Sequence, residues 1–168
     1  VTLDHIGMLA TVQNSLYLAE ILNRKNYSAQ VFTSFSIDSV AMHYTPRRAF
    51  QAMEAGSICL LSGGTGNPCF TTETAAVLRA CELKLDMVFK GTKVDGLYSA
   101  DPKVDPTAVF ISDATYDQCL EQKLGVMDMT AFSLAQANEL PIKIFNIGKQ
   151  GGLCQAISSP DHGTFIHP

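Results

Sequence analysis

The sequence predicts a mainly parallel α/β sandwich, and three observations carry that expectation. Strand-like and helix-like hydrophobic patterns alternate along all 168 residues. The pattern at Ser57–Ser62 holds Ile58-Cys59-Leu60-Leu61 in an unbroken row, as expected of a strand covered on both faces in a parallel sheet. No internal repeat, low-complexity tract or linker divides the chain, so one domain spanning 1–168 is expected.

Each element has its own signal. From His5 to Asn23 apolar residues recur at Leu9, Val12, Leu16 and Ala19, with Ile21 and Leu22 behind them, which predicts an amphipathic helix closed by Lys25 and Asn26. Ala29–Phe35, carrying Val31 and Phe32, reads as a strand. Pro46–Ala55 reads as a short helix with proline in its first turn and Gly56 as its stop. The apolar strand then leads into Gly63-Gly64-Thr65-Gly66-Asn67-Pro68. Thr71–Leu85 resumes helical spacing through Ala75, Leu78 and Leu85, and Asp86–Phe89 supplies another short strand, giving a βαβ unit. A polar loop from Lys90 to Thr107 follows, then helices at Tyr116–Lys123 and Thr130–Leu140 and a strand at Ile142–Phe145. The last stretch, Gly151–Pro168, combines a short helix with an edge strand at Gly163–Ile166.

Composition bounds the function classes. With 12 Lys plus Arg against 16 Asp plus Glu, the formal charge is -4, so no broad cationic surface invites nucleic acid. No apolar run is long enough to span a bilayer, and no basic segment followed by an apolar stretch marks a secretory leader, so no membrane partner and a soluble, cytoplasmic protein are expected. Cys59, Cys69, Cys81, Cys119 and Cys154 are odd in number and form no C-x-x-C pair, and the histidines miss zinc-ligand intervals; reduced thiols and no protein-bound metal cluster are expected.

In an open parallel sheet, ligands sit beyond the carboxyl ends of strands, where main-chain N–H groups at the next helix start accept negative charge. The Gly63–Thr72 loop occupies that position. Its glycines allow close approach, while Thr65, Asn67, Thr71 and Thr72 offer hydroxyl and amide groups to a sugar, base or phosphate. The plainer alternative is a glycine turn with Thr71 or Thr72 as a helix cap. Glu73 in the next helical turn either complements the helix dipole or organises cations beside a phosphate. The run Lys90-Gly91-Thr92-Lys93-Val94-Asp95-Gly96-Leu97-Tyr98-Ser99-Ala100-Asp101-Pro102 offers cations, an aromatic and carboxylates to a nucleotide, or else is a solvated turn. Asp4 and Asp128 precede predicted helices and suit capping; Arg47 and Arg48 suit a phosphate ligand or a solvated surface.

Taken together, these segments resemble the successive motifs of bacterial UMP kinases (uridylate kinases) of the amino acid kinase family. Asp4-His5 with Gly7-Met8-Leu9-Ala10-Thr11 and Asn14, the Gly63–Pro68 loop and the run Lys90–Pro102 match in order and spacing. Val126-Met127-Asp128 with Ala131-Phe132, and Pro141-Ile142 with Phe145-Asn146, resemble two later motifs. The resemblance implies the three-layer α/β/α amino acid kinase fold, transfer of the ATP γ-phosphoryl group to UMP to give UDP, Mg²⁺ with the ATP, a homo-hexamer, and GTP and UTP as effectors. Carried over by position, it implies UMP binding by Asp4, Thr65, Gly66, Asn67, Pro68, Cys69, Phe70, Thr71 and Thr72, and ATP binding by Thr92, Tyr98 and Asp101. It places Glu73 and Asp128 at acidic positions near the phosphates, and Arg47 and Arg48 in the region of GTP control.

The chain departs from that pattern in three ways. The family opens with a strand bearing Lys-Leu-Ser-Gly and continues to a Gly-Gly-Gly-Asn loop, and neither precedes Val1. A fold incomplete at its N-terminus, with exposed strand edges and no activity alone, is therefore expected. Cys69 stands where the family commonly has an aromatic residue, and Glu73 where it has aspartate. The alternatives are another kinase of the same family, such as an aspartate or carbamate kinase, and a non-catalytic nucleotide-binding regulatory subunit.

Overall fold

A computed structural model of the chain describes residues 1–102 and 104–168; Lys103, within the long polar loop, lies outside the described residues. The contacts group into two compact units, Val1–Leu83 and Lys84–Pro168.

The first unit runs α1 (Thr2–Arg24), β1 (Ala29–Thr33), β2 (Met42–His43), α2 (Pro46–Glu54), β3 (Ile58–Ser62) and α3 (Thr72–Leu83). Its sheet has the order β2-β1-β3 and both pairings are parallel. α1 buries Met8, Val12 and Ala19, and Ala19 packs against Ala29 and Val31 of β1. Leu9, expected on the inner face, points outward, because the buried stripe runs one position ahead of it through Met8. The side chain of Asn23 holds the entry to β1 by bonding both main-chain groups of Ala29, its Oδ1 accepting from the N–H at 3.0 Å and its Nδ2 donating to the carbonyl at 3.1 Å. α2 opens as expected, with Pro46 in its first turn and the Thr45 hydroxyl accepting from the Arg48 N–H.

β3 corrects an expectation. Ile58 is exposed and Cys59, Leu60 and Leu61 are only half-buried, so the strand is not covered on both faces. It lies at the end of its sheet with β1 as its one strand partner among the described residues.

The second unit runs β4 (Val88–Thr92), β5 (Leu97–Tyr98), β6 (Phe110–Ile111), β7 (Asp113–Thr115), α4 (Tyr116–Glu121), α5 (Met129–Ala137), β8 (Ile142–Asn146), α6 (Gly152–Ser158) and β9 (Thr164–His167). Its main sheet has the order β4-β8-β9-β7, with β8-β9 antiparallel and the other two pairings parallel; β5 and β6 form a separate antiparallel pair. β8 has the fully covered character expected of β3, with Ile142, Lys143, Ile144 and Phe145 all buried. α4 begins with a reciprocal capping box between Thr115 and Gln118, and Tyr116 packs edge-on against Phe132 with ring centroids 5.0 Å apart.

Three further expectations change here. The strand after α3 begins and ends later than the apolar pattern suggests, so Lys90, Gly91 and Thr92 belong to β4, where main-chain pairing with Ile144, Phe145 and Asn146 carries these polar residues. β4 pairs with β8 and β3 with β1, so each strand of the anticipated βαβ unit has its partner within its own compact unit. β9 is an inner strand, with Thr164 and Ile166 wholly buried, since β7 and β8 flank it. Among the described residues no helix is long and apolar enough to cross a membrane.

Candidate functional site

In the first unit, β3 ends at Ser62 and the chain turns at once through Gly63, Gly64 and Gly66, all with positive φ. Gly66 needs both its backbone freedom and its lack of a side chain, because a Cβ there would sit 3.1 Å from the Ser34 carbonyl oxygen and 3.2 Å from Ser34 Cβ. The turn is anchored to the first helix. The Gly63 N–H donates to Thr11 Oγ1 at 2.8 Å, and that hydroxyl donates to the Met8 carbonyl at 2.7 Å. Further along, the Cys69 N–H donates to Asp4 Oδ2 at 3.2 Å. Thr65 folds the loop tip, its hydroxyl accepting from the Asn67 N–H at 3.1 Å. Thr71 caps α3 by accepting from the Thr74 N–H at 3.1 Å, and Glu73 lies half-buried in that first turn.

These anchors leave a cavity of about 200 Å³ between the start of α1 and the loop, lined by Asp4, Met8, Thr11, Thr65, Phe70 and Thr72 among others. Four of the nine nominated UMP residues, Asp4, Thr65, Phe70 and Thr72, line it. Gly66, Asn67 and Pro68 form the turn, Cys69 supplies the main-chain link to Asp4, and Thr71 caps the helix. Asp4 sits inside the first turn of α1 and not ahead of it, because the helix starts at Thr2. Thr11 belongs to the motif that carries the family resemblance and lines the cavity, although the residues carried over by position do not include it.

Behind the loop lies a partly buried network without an individual sequence signal. Arg79 of α3 donates to Glu82 Oε2 at 2.7 Å and to Ser34 Oγ at 3.3 Å, and its guanidinium carbon lies 4.1 Å over the ring of Tyr44. Tyr44 donates to the same Glu82 oxygen at 2.8 Å; burial and that carboxylate hold its phenol well above the ordinary range, so it stays a donor. Arg48, one of the two nominated control residues, donates to the His43 carbonyl at 3.3 Å and lines a separate cavity of about 490 Å³ with Asp38, His43 and Gln30; Arg47 does not line it. His43 Nδ1 is buried with no hydrogen-bond partner among the described residues.

In the second unit, Tyr98 and Asp101 line a cavity of about 450 Å³ together with Val94, Pro102, Lys123 and Gly125. Phe110 meets the Tyr98 ring edge-on, with centroids 5.4 Å apart, fixing its plane. The Asp101 carbonyl accepts from the N–H groups of Val104 and Asp105. Thr92 lies outside the lining; its hydroxyl accepts from the Val94 N–H at 3.1 Å and donates to the Val94 carbonyl at 2.7 Å, bending the chain as it leaves β4. Asp95 is held by Lys149 at 2.7 Å and by Asn146 at 3.0 Å, and those bonds lower its pKa. Lys90 donates to the Val126 carbonyl, and Asp128 caps α5 by accepting from the Ala131 N–H at 3.0 Å. A further cavity of about 630 Å³, lined by Phe89, Asp113, Lys143, Pro160 and Phe165, contains no nominated residue.

Among the described residues, no three His, Cys, Asp or Glu side chains group as a metal site.

Comparisons with known proteins give the family. Residues 1–146 match the model of the amino acid kinase family. The chain is 45% identical over 166 residues to a uridylate kinase of Marinobacter nauticus, covering 99% of this chain and 69% of that protein. It is 46% identical to a uridylate kinase of Stutzerimonas stutzeri, covering 99% of this chain and 67% of the relative. Among solved structures, UMP kinase from Ureaplasma parvum superposes with a TM-score of 0.95 at 32% identity, covering 98% of this chain and 71% of that one. UMP kinase from Bacillus anthracis does so with a TM-score of 0.92 at 35% identity, covering 98% and 68%. The chain belongs to the amino acid kinase family, in its uridylate kinase branch, and spans about two-thirds of the length of those relatives.

Proposed function

We propose that this chain carries the nucleotide sites of a UMP kinase, a phosphotransferase that moves the ATP γ-phosphoryl group to UMP and forms UDP in pyrimidine nucleotide synthesis. The observation that carries the reading is the cavity between Asp4 and the Gly63–Thr72 loop, in a chain so similar to uridylate kinases. UMP occupies that cavity, with Thr65 and Thr72 as hydroxyl partners, Asp4 as an acceptor for a ribose hydroxyl, and the loop from Gly66 to Thr71 closing around the nucleotide. ATP takes the cavity of Tyr98 and Asp101, with the Tyr98 ring against the base and Thr92 shaping the approach.

The chemistry asks little covalent work of the protein. In-line phosphoryl transfer depends on positioning two anions and neutralising the charge that develops between them. Main-chain N–H groups, threonine hydroxyls and the acids Glu73 and Asp128 are parts suited to that task, and no nucleophilic side chain is required. Mg²⁺ bound with the ATP would supply positive charge to the phosphates, and Glu73 is the acid that would help to organise it there.

Regulation and assembly extend the reading. The cavity beside Arg48 and His43 suits a phosphorylated effector, GTP or UTP. Leu3, Ile6, Tyr17 and Leu18 stand exposed on α1, an apolar surface that supports self-association toward a homo-hexamer in the cytoplasm. A coupled assay of UDP formation from UMP, ATP and Mg²⁺, run on this chain and on a form extended to its relatives' length, tests the activity. Turnover by the extended form establishes the kinase; UMP binding without turnover in either would instead favour a regulatory nucleotide-binding subunit.

A further inference from the structure

We infer that Arg79 is a positioning residue for the acceptor loop, acting through the hydroxyl of Ser34. The inference rests on the reading of Gly63–Thr72 as the UMP site, and it assigns a role to side chains that line no part of that cavity.

The connection is continuous. Arg79 Nη2 donates to Ser34 Oγ at 3.3 Å, and the Ser34 hydroxyl donates onward to the Gly64 carbonyl at 2.6 Å. Ser34 has one hydroxyl proton, and the short bond to Gly64 takes it, leaving the oxygen to accept from the guanidinium. Ser34 also sets the loop by shape, since its backbone and Cβ are the atoms against which Gly66 packs. Its own N–H donates to the Ser62 carbonyl at the end of β3, so the residue is fixed from both sides.

Arg79 is equally fixed. Its side chain is 12% exposed, the other arm of the guanidinium pairs with Glu82, and the Tyr44 ring covers its face. Tyr44 in turn donates to Glu82, closing the set. A planar fork with two donor arms bridges a carboxylate and a hydroxyl at once, which a lysine ammonium on its flexible stem does less well. The outcome is a rigid line from the body of α3 to the main chain of the glycine turn. It holds the loop in its binding shape before the nucleotide arrives, which lowers the ordering cost of binding.

The test is a titration of UMP into the chain and into Arg79→Lys, Arg79→Met, Ser34→Ala and the double variant Arg79→Met/Ser34→Ala, with ATP binding and thermal melting recorded on each. Loss of one such hydrogen bond, at about 0.5–1.5 kcal/mol, corresponds to roughly two- to twelve-fold weaker UMP binding. The expected result is a loss of that size in each single variant, a double variant no weaker than the worse single one, and unchanged ATP binding. Arg79→Lys is expected to melt close to the parent while still losing UMP affinity, which separates positioning from a merely structural role. UMP binding at the parent level in Arg79→Lys and Ser34→Ala would overturn the inference alone. Multiplying losses in the double variant, or parallel loss of ATP binding, would also overturn it. Failure of the parent chain to bind UMP would overturn the site assignment beneath it.

Discussion

The main-chain N–H of Cys69 donates to the carboxylate of Asp4 across 3.2 Å, tying the far end of the glycine loop to the first turn of α1. Cys69 holds a positive φ of 71°, unusual for a residue with a side chain, and the Asp4 bond is one restraint that keeps it there. Asp4→Ala is expected to weaken UMP binding about ten-fold, while this exposed bond costs only about 1 kcal/mol of stability. Calorimetric titration and thermal melting of the same sample check both halves.

Asp128 carries a cap and a charge that substitution separates. Asp128→Ser keeps an oxygen for the Ala131 N–H, whereas Asp128→Ala removes it and is expected to cost about 1 kcal/mol of stability. Both remove the acid and are expected to lower phosphoryl transfer at least about ten-fold in a form extended to the relatives' length. Melting curves and a coupled UDP assay distinguish the two effects.

Tyr98 is expected to contribute its ring and not its hydroxyl to ATP binding, since Phe110 already fixes the ring plane. Tyr98→Phe should bind ATP within about two-fold of the parent. Tyr98→Ala should lose about ten-fold, in line with the roughly 1–3 kcal/mol that stacking on a base contributes. Fluorescence competition with a labelled ATP analogue reads the difference.

Gly96 admits no side chain. A Cβ there would lie 2.9 Å from Phe110 and 3.1 Å from the Thr164 N–H nitrogen, and closer still to the Thr164 hydroxyl that accepts from the Leu97 N–H at 2.7 Å. Gly96→Ala is expected to cost about 1–3 kcal/mol and to weaken ATP binding without affecting UMP. Denaturant titration beside ligand titration checks it.

Two exposed pairs contribute to the pH dependence of stability. The pKa of Asp95 is lowered from 3.8, chiefly by hydrogen bonds from Lys149 and Asn146, so its contribution is present above that value and lost as pH falls through the folded pKa. The pKa of His167 is raised from 6.5, first by its bond to Asp113, so its contribution is complete below that value and lost as pH rises through the folded pKa. Exposed pairs of this kind are worth about 0–1 kcal/mol. Asp95→Asn should flatten the acid limb of a melting-temperature profile slightly, and His167→Gln the limb that falls as pH rises above 6.5.

What the sequence disclosed followed from how local each signal was. α2 was legible because Pro46 and Gly56 punctuate it, and the Gly63 turn because only glycines suit its positive φ angles. β2 was missed because two residues, Met42 and His43, are too few for a period. β4 was placed too early because Lys90-Gly91-Thr92 is polar, and its strand character comes from pairing with β8. Tertiary partners likewise decide that β9 is an inner strand and that β3 is incompletely covered. Asp4, Thr65, Phe70 and Thr72 were readable through motif resemblance, whereas the Arg79-Ser34 line joins residues whose types carry no pattern of their own.

The most direct test of the central claim is hydrogen–deuterium exchange of the chain with and without saturating UMP, read by peptide mass. Slower exchange is expected at the start of α1, around Asp4 to Thr11, and across Gly63 to Thr72, with the Tyr98–Asp101 segment unaffected until ATP is added. Unchanged exchange in the Gly63–Thr72 loop at saturating UMP, or UMP-induced protection confined to the Tyr98–Asp101 segment, would contradict it.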